Sequence, residues 1–354
     1  VEWEATLFKS LVQMQTLQNV LSADRLASVE QALKQTFNHT NVQEIEVLRG
    51  GLSASAVYKI KVQEQFYVLK LDVPQPGQLQ ELPGAMEIAA AGGLAPAVFY
   101  LNPAEGISLS AFIKSEPLHT VFKPATVLLP ALAKTIRSIH ELPLFSKESN
   151  VQQTVAGLLT QFRTSGMLQG AAVEECLDYC QLVLDAYPWE DEDKVSSHND
   201  LNPNNMLFGE GKIWVIDWDA AFKNDPYVDL AVTANFYVND AQQEELFLEA
   251  YLGAEPNAEQ RARFFLMRQI CRMVYAMLMF RLAGYSSPEG TAHDSEIESV
   301  RLAAVKELLG QGKINLGAYP GQFLFGKALF NEALQSMRSS RFNESVALIK
   351  RIWS

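Results

Sequence analysis

The hydrophobic pattern changes period along the chain. From Arg25 to Phe37, apolar Leu26, Val29, Leu33 and Phe37 recur at helical spacing after a Ser22-Ala23-Asp24 start signal. Residues 3–37 are therefore expected as one or two amphipathic helices. An alternating region follows. Ile45, Val47 and Leu48 lead to 57–62 (VYKIKV) and 66–71 (FYVLKL), which read as strands. Phe99-Tyr100-Leu101 and 106–113 add a further strand pair. Helical spacing then dominates. It covers 126–140, with Leu129, Leu132, Ala133, Ile136 and Ile139 inward, and two helices within 151–187. It returns over 242–251, 258–283 and 296–309, and in one or two helices over 318–354. The expected class is α+β. A small, mainly antiparallel β part spans 1–114, and a larger helical part spans 115–354.

One β-hairpin interrupts the helical part. Met206-Leu207-Phe208 reads as a strand, Gly209-Glu210-Gly211 as a turn, and Lys212 to Ile216 as the return strand. Such a hairpin brings its ends together. Asp200 and Asn205 precede it and Asp217 follows, so three oxygen-bearing side chains can converge. That set suits a hard cation such as Mg²⁺, which takes a few carboxylates plus substrate phosphates.

Two earlier stretches carry the pattern of an anion site. Strand, small-residue turn and strand surround Gly50-Gly51-Leu52-Ser53-Ala54-Ser55, where small residues let backbone N–H groups approach a phosphate. Lys70 sits among apolar neighbours in the strand 66–71, and a buried lysine needs an anionic partner.

His198-Asn199-Asp200-Leu201-Asn202-Pro203-Asn204-Asn205 matches the H-x-D-x-x-x-x-N catalytic loop of kinase-like phosphotransferases. Ile216-Asp217-Trp218-Asp219 resembles their metal-binding segment. The form H-N-D-L-x-P-x-N followed by I-D-W-D most resembles choline and ethanolamine kinases; aminoglycoside phosphotransferases more often carry Gly after the His. The resemblance runs from about residue 45 to about 330 and is dense at 48–71, 92–98 and 196–231.

The resemblance implies a two-lobe, protein-kinase-like fold using ATP and Mg²⁺. Phosphoryl transfer asks the protein mainly for positioning and electrostatics. Asp200 then accepts or orients the proton of the attacking hydroxyl, and His198 braces the loop. Asn205 and Asp217 hold Mg²⁺ on the nucleotide phosphates. Gly50, Gly51, Ser53 and Ser55 cover the phosphates, with Ala54 where the family commonly has Asn. Lys70 grips the α- and β-phosphates and pairs with a helix glutamate. Spacing from the Gly93-Leu94-Ala95-Pro96 segment favours Glu81, and helix placement favours Glu87. Backbone groups near Ile107 to Leu109 hold adenine. Asp219 binds metal or substrate, or caps a turn. Asp229, in a D-P-x-x-D-L-A segment, caps a helix or braces the loop, with Asp225-Pro226 as a turn. His140 is a capping or packing residue. His39, His119 and His293 carry no role.

Met273, Tyr275, Met277, Phe280 and Tyr285 form an aromatic and thioether-rich face, which is either core packing or a cage for a quaternary ammonium. Trp218, Tyr237 and Tyr275 are the candidates for such a cage.

The 354 residues carry a net charge of −12, which argues against non-specific nucleic-acid binding and docking on anionic membrane. A cationic substrate is compatible with it. Cys176, Cys180 and Cys271 form no disulfide framework and point to a reducing compartment. The first residues lack the pattern of a signal peptide, and no apolar run reaches the roughly 18 residues of a membrane span. A cytoplasmic enzyme is expected. No Arg precedes Asp200 and no A-P-E follows Asp217, so a small alcohol is the expected acceptor. Choline or ethanolamine comes first, an aminoglycoside or thiamine second. The readings from other classes are a catalytically silent nucleotide-binding pseudokinase and a nucleotide-independent helical interaction protein.

Overall fold

Alternation along one strand decides which way the first sheet faces. Tyr58, Ile60 and Val62 are buried on one side. Lys59 and Lys61 lie on the other, where they pair across the sheet with Glu46 (3.8 Å) and Glu44 (3.2 Å). The computed structural model describes residues 16–48, 55–74, 83–190 and 193–353. Its chain divides into two units, Val1–Ser115 and Glu116–Ser354.

In the first unit, α1 (Leu17–Val20) and α2 (Ala23–Phe37) precede β1 (Glu44–Val47), β2 (Ala56–Val62) and β3 (Gln65–Leu71). Then come α3 (Ala85–Ala91), β4 (Val98–Asn102) and β5 (Ile107–Ala111). The strands form one antiparallel sheet in the order β1-β2-β3-β5-β4. Val29, Ala32 and Leu33 of α2 share a core with Ile60, Val62, Leu69 and Leu109. Arg25 fastens that helix to the sheet. Its guanidinium donates to the carbonyls of Glu105 (2.5 Å), Gly106 (2.9 Å) and Asp72 (3.3 Å). Gly106 has φ +62°, and a Cβ there would lie 2.5 Å from the Asp72 carbonyl oxygen, so the turn into β5 requires glycine.

The second unit opens with α4 (Leu118–Val121), α5 (Ala125–His140), α6 (Val151–Ser165) and α7 (Ala171–Ala186). Four short strands follow: β6 (Val195–Ser197), β7 (Met206–Gly209), β8 (Lys212–Val215) and β9 (Phe222–Asn224). They pair as β6 with β9 and β7 with β8. Next are α8 (Pro226–Tyr237), α9 (Ala241–Leu252) and α10 (Ala258–Ser286). The unit closes with α11 (Leu302–Gly310), α12 (Tyr319–Met337) and α13 (Ser340–Trp353).

α10 is the axis of this unit. Ala262 to Met273 are buried without interruption, so the helix is enclosed on all sides rather than amphipathic. Elements α6, α7, α8, α12 and α13 pack around it. Its buried arginines need partners inside. Arg263 meets Asp225 at 2.9 Å and Arg268 meets Glu244 at 3.0 Å.

Two expectations need correction. Asp225-Pro226 is not a turn. Asp225 is the N-cap of α8, accepting the Tyr227 amide at 2.7 Å, with Pro226 in the first helical position. The helix expected over 296–309 begins only at Leu302. The Glu296 carboxylate takes the Ser299 amide (3.0 Å) in a local turn, a short-range bond that competes with helix. Of the helices expected over 3–37, residues 3–15 lie outside the described residues.

Gly326 of α12 lets α10 come close. A Cβ there would lie 2.9 Å from the Phe280 ring, which is 1% exposed and packed edge-on or tilted against Phe162 and Phe323. Gly326→Ala is expected to lower the unfolding free energy by about 1–3 kcal/mol through overpacking, despite alanine's better helix propensity. A urea midpoint equal to or above that of the parent would show slack at this contact.

Candidate active site

The site is built on a carboxylate that never reaches solvent. Asp229, in the first turn of α8, is 0% exposed. Its Oδ2 accepts the His198 amide at 2.8 Å and its Oδ1 the Asn199 amide at 2.7 Å. His140, the last residue of α5, places Nε2 3.2 Å from Oδ2. An ionised carboxylate only accepts, so His140 donates through Nε2. Its Nδ1 lies 2.8 Å from the Tyr251 hydroxyl, with which it shares a hydrogen bond. Burial pushes the Asp229 carboxyl up, but the hydrogen bonds from His140 and from the His198 amide help to outweigh it, and the net position is lowered. Of the two roles open to Asp229, bracing the loop is the one seen. The cap belongs to Asp225.

Three further ties fix the loop. The His198 Nε2 donates to the Ile216 carbonyl (2.9 Å) and its Nδ1 accepts the Asp200 amide (3.3 Å), which makes His198 the neutral Nε2–H form. Asn199 has φ +65°, where asparagine is among the few tolerated residues. Its Oδ1 accepts from Ser197 Oγ (2.9 Å) and Asn224 Nδ2 (2.6 Å), while its Nδ2 donates to the Ala220 carbonyl (2.9 Å). The β7–β8 ladder pairs Met206 with Val215, and the Ile216 amide extends it to the Asn205 carbonyl at 3.0 Å. Asn205 and the residue before Asp217 are thereby bonded at one end of the hairpin. Asp217 leaves the strand with φ +65°.

The Asp200 carboxylate is surrounded by donors. Asn205 Nδ2 reaches Oδ2 (3.2 Å) and the Asp200 carbonyl (2.9 Å). Asn202 Nδ2 reaches Oδ1 (3.1 Å), and the Tyr275 hydroxyl of α10 also donates to Oδ1. Burial first, and the Asp200 charge second, push the Tyr275 phenol well above its ordinary range, so it remains a donor. With Nδ2 spent on Asp200, Asn205 keeps Oδ1 as an oxygen ligand. Among the described residues no three His, Cys, Asp or Glu side chains form a metal cage. One amide oxygen and one carboxylate fit instead the sparse protein ligation of Mg²⁺ on a nucleotide.

The cage candidates fall into different places. Trp218 is 5% exposed, its N–H on the Val215 carbonyl (3.0 Å) and its ring edge-on to His198 and Phe145. It is a packing residue that offers no open ring face. Tyr237 ends α8, and burial pushes its phenol up to about 12. Tyr275 meets the loop through its hydroxyl, with its ring edge-on to Phe236. Asp219 is exposed in the short turn after Asp217, its carbonyl accepting from Lys147 (3.3 Å).

In the first unit, Lys70 lies on the face of β3 opposite Leu69 and Leu71, 3.7 Å from Asp72, which also accepts from Ser55. Glu87 turns Oε2 to the Gly84 amide (2.9 Å), bonding the start of α3. Glu81, Gly50, Gly51 and Ser53 lie outside the described residues. The backbone groups of Ile107 and Leu109, expected near adenine, are engaged within the sheet. They sit on an inner strand, paired to β3 on one side and β4 on the other. The alternation read from sequence located the strand but not its place in the sheet.

Motif reasoning gave Asn199 and Asn202 no bracing role in the loop, and gave His140 only a capping or packing one. The two asparagines were visible as an Asx-rich loop, whereas His140 gave no signal beyond ending a helix.

The fold and this loop are those of a phosphotransferase with a protein-kinase-like architecture. Residues 44–265, more than half of the chain, match the phosphotransferase enzyme family, and the chain belongs to it. A LicA homolog from Mycoplasma capricolum subsp. capricolum is 27% identical over 124 residues, 35% of this chain and 50% of that protein. The chain thus spans half or less of the length of the curated relatives it matches. Among solved structures, a choline/ethanolamine kinase family protein from Mesorhizobium loti has a TM-score of 0.58 at 18% identity, over 87% of this chain and 92% of that one. A choline kinase from Cryptosporidium parvum reaches 0.63 at 13% identity, over 93% and 98%.

Asp229→Asn removes an acceptor that two backbone amides and an imidazole share. It is expected to cost about 2–3 kcal/mol of stability at neutral pH. Because the folded carboxyl lies below its unfolded value, its contribution is full above the ordinary carboxylate range and is lost as pH falls through the lowered value. The parent's extra acid sensitivity below about pH 4 should therefore be missing from the variant. Parallel pH–stability curves for the two proteins would contradict this role.

Proposed function

We propose that this chain transfers the γ-phosphoryl group of ATP to the hydroxyl of a small alcohol. The observation that carries the reading is the Asp200 carboxylate, held by Asn202, Asn205 and Tyr275 on a loop locked by Asp229. Asp200 receives the hydrogen bond, and then the proton, of the acceptor hydroxyl. The acceptor oxygen bonds to the γ-phosphorus as the bond to the leaving ADP oxygen breaks. Asn205 and Asp217 would hold Mg²⁺, whose charge offsets that of the phosphates when bound. Lys70, with Gly50, Gly51, Ser53, Ser55 and Glu81, is the proposed phosphate-holding set of the first unit.

Choline or ethanolamine is the favoured acceptor. Support comes from Asn199 after the catalytic-loop histidine and from the likeness to choline and ethanolamine kinase structures. The proposed setting is the reducing cytoplasm, in keeping with three buried free thiols, and no helix among the described residues is long and apolar enough to cross a membrane.

An ADP-release screen with choline, ethanolamine, thiamine and several aminoglycosides, each product checked by mass, tests the reading. Turnover with one amino alcohol is expected; none with any alcohol would overturn it. Asp200→Asn should cut turnover by roughly 100-fold or more while ATP affinity holds, the scale of losing a general base. Asp217→Ala should weaken ATP binding in the presence of Mg²⁺ and leave metal-free binding unchanged. Equal affinities of the Asp217 variant and parent with Mg²⁺ would remove that residue from the metal site.

A further inference from the structure

An ionised carboxylate offers about four lone-pair positions, two on each oxygen. Three donors at Asp200 take three of them, including both on Oδ1. Asn202 and Tyr275 occupy Oδ1, and Asn205 occupies Oδ2. The donors are of two kinds. Asn202 and Asn205 are amides of the same loop, two and five residues away, and travel with it. Tyr275 comes from α10, 75 residues on, and offers a hydroxyl. Chemically it makes the contact that an incoming hydroxyl acceptor must make.

Tyr275 has little freedom to leave by itself. Cys271, one helical turn before it, is buried, and its ring stands edge-on to Phe236 of α8. With Val232 and Leu329 these residues line a cavity of about 10 Å³, room for a group no larger than one water. The ring cannot swing inward into so small a space, which leaves its partly exposed side as the direction in which an acceptor can displace it. The hydroxyl is thus held on Asp200 by the packing of α10, and a molecule as small as water gains little by competing with it.

Resting on the reading of Asp200 as the proton acceptor, we propose that Tyr275 is an intramolecular stand-in for the acceptor hydroxyl, which keeps water off Oδ1 until an acceptor with its own binding contacts displaces it. The function of this contact is to suppress hydrolysis of ATP. In hydrolysis a water oxygen bonds to the γ-phosphorus, its proton passes to Asp200, and ADP and inorganic phosphate leave. Water presents no remote groups whose binding could offset the loss of the Tyr275 bond, whereas an amino alcohol does. Tyr275 therefore selects for acceptor over solvent without touching the acceptor's distinguishing groups.

The test measures ADP release from Mg·ATP alone, with no acceptor, and phosphorylated-product formation with the acceptor. It compares the parent with Tyr275→Phe, Asp200→Asn and the double variant. Tyr275→Phe removes one oxygen and keeps the ring, and Tyr275→Met serves if the phenylalanine variant melts well below the parent. Acceptor-free ADP release is expected to rise roughly tenfold, the scale of losing one hydrogen bond to a charged group, and the ratio of hydrolysis to transfer to rise with it. The rise should vanish in the double variant. A Tyr275→Phe enzyme whose ratio equals the parent's would overturn the stand-in role. If Asp200→Asn alone keeps parental turnover, the reading of Asp200 falls first. A merely structural role for Tyr275 would lower both rates together.

Discussion

Two backbone amides pointing at one buried carboxylate set the geometry on which this enzyme fold depends. The His198 and Asn199 amides have no ladder partner of their own, because the chain turns there through a left-handed residue. Buried N–H groups must be satisfied, and Asp229 takes both. The loop cannot shift without stripping that carboxylate of its donors, which is costly in a site with no solvent to replace them. From this anchor the order propagates outward. His198 reaches Ile216, Ile216 reaches Asn205, and Asn205 reaches Asp200.

The anchor is itself anchored. Asp225 caps α8 and also accepts from the Tyr187 hydroxyl (2.7 Å) at the end of α7 and from Arg263 of α10. The Arg263 guanidinium stands 4.9 Å from the Tyr227 ring centroid. A helix enclosed on all sides would be expected to carry apolar residues only. Here α10 carries arginines whose charges are met by carboxylates of α8 and α9. These pairs tie α10 to the start of α8 and to α9, and so add to the side-chain packing that sets the height at which Tyr275 faces the loop. Phosphoryl transfer depends on such placement, since the protein contributes position and charge more than covalent chemistry.

Much of this was legible in the chain. The alternation of 57–62 and 66–71 gave the sheet strands, and the spacing from His198 to Asp217 gave the loop and hairpin, because both are local patterns. What stayed hidden was long-range. Strand order is not written in alternation, so the inner place of β5, which spends the Ile107 and Leu109 backbone, could not be read. His140 lies 89 residues from Asp229, and Tyr275 lies 75 from Asp200; nothing in either local sequence names the partner. Trp218 stood among the cage candidates, yet it packs inward against His198. Asp225-Pro226 has the composition of a turn and the geometry of a helix start, which only the Tyr227 amide distinguishes.

The most direct test of the account is a structure determined with Mg²⁺ and a non-hydrolysable ATP analogue. The account predicts the Asn205 side-chain oxygen and one Asp217 oxygen at about 2.1 Å from the metal, with Asp200 unligated and still held by Asn202 and Asn205. A metal bound through Asp200, or a nucleotide whose phosphates lie away from Asn205 and Asp217, would contradict it.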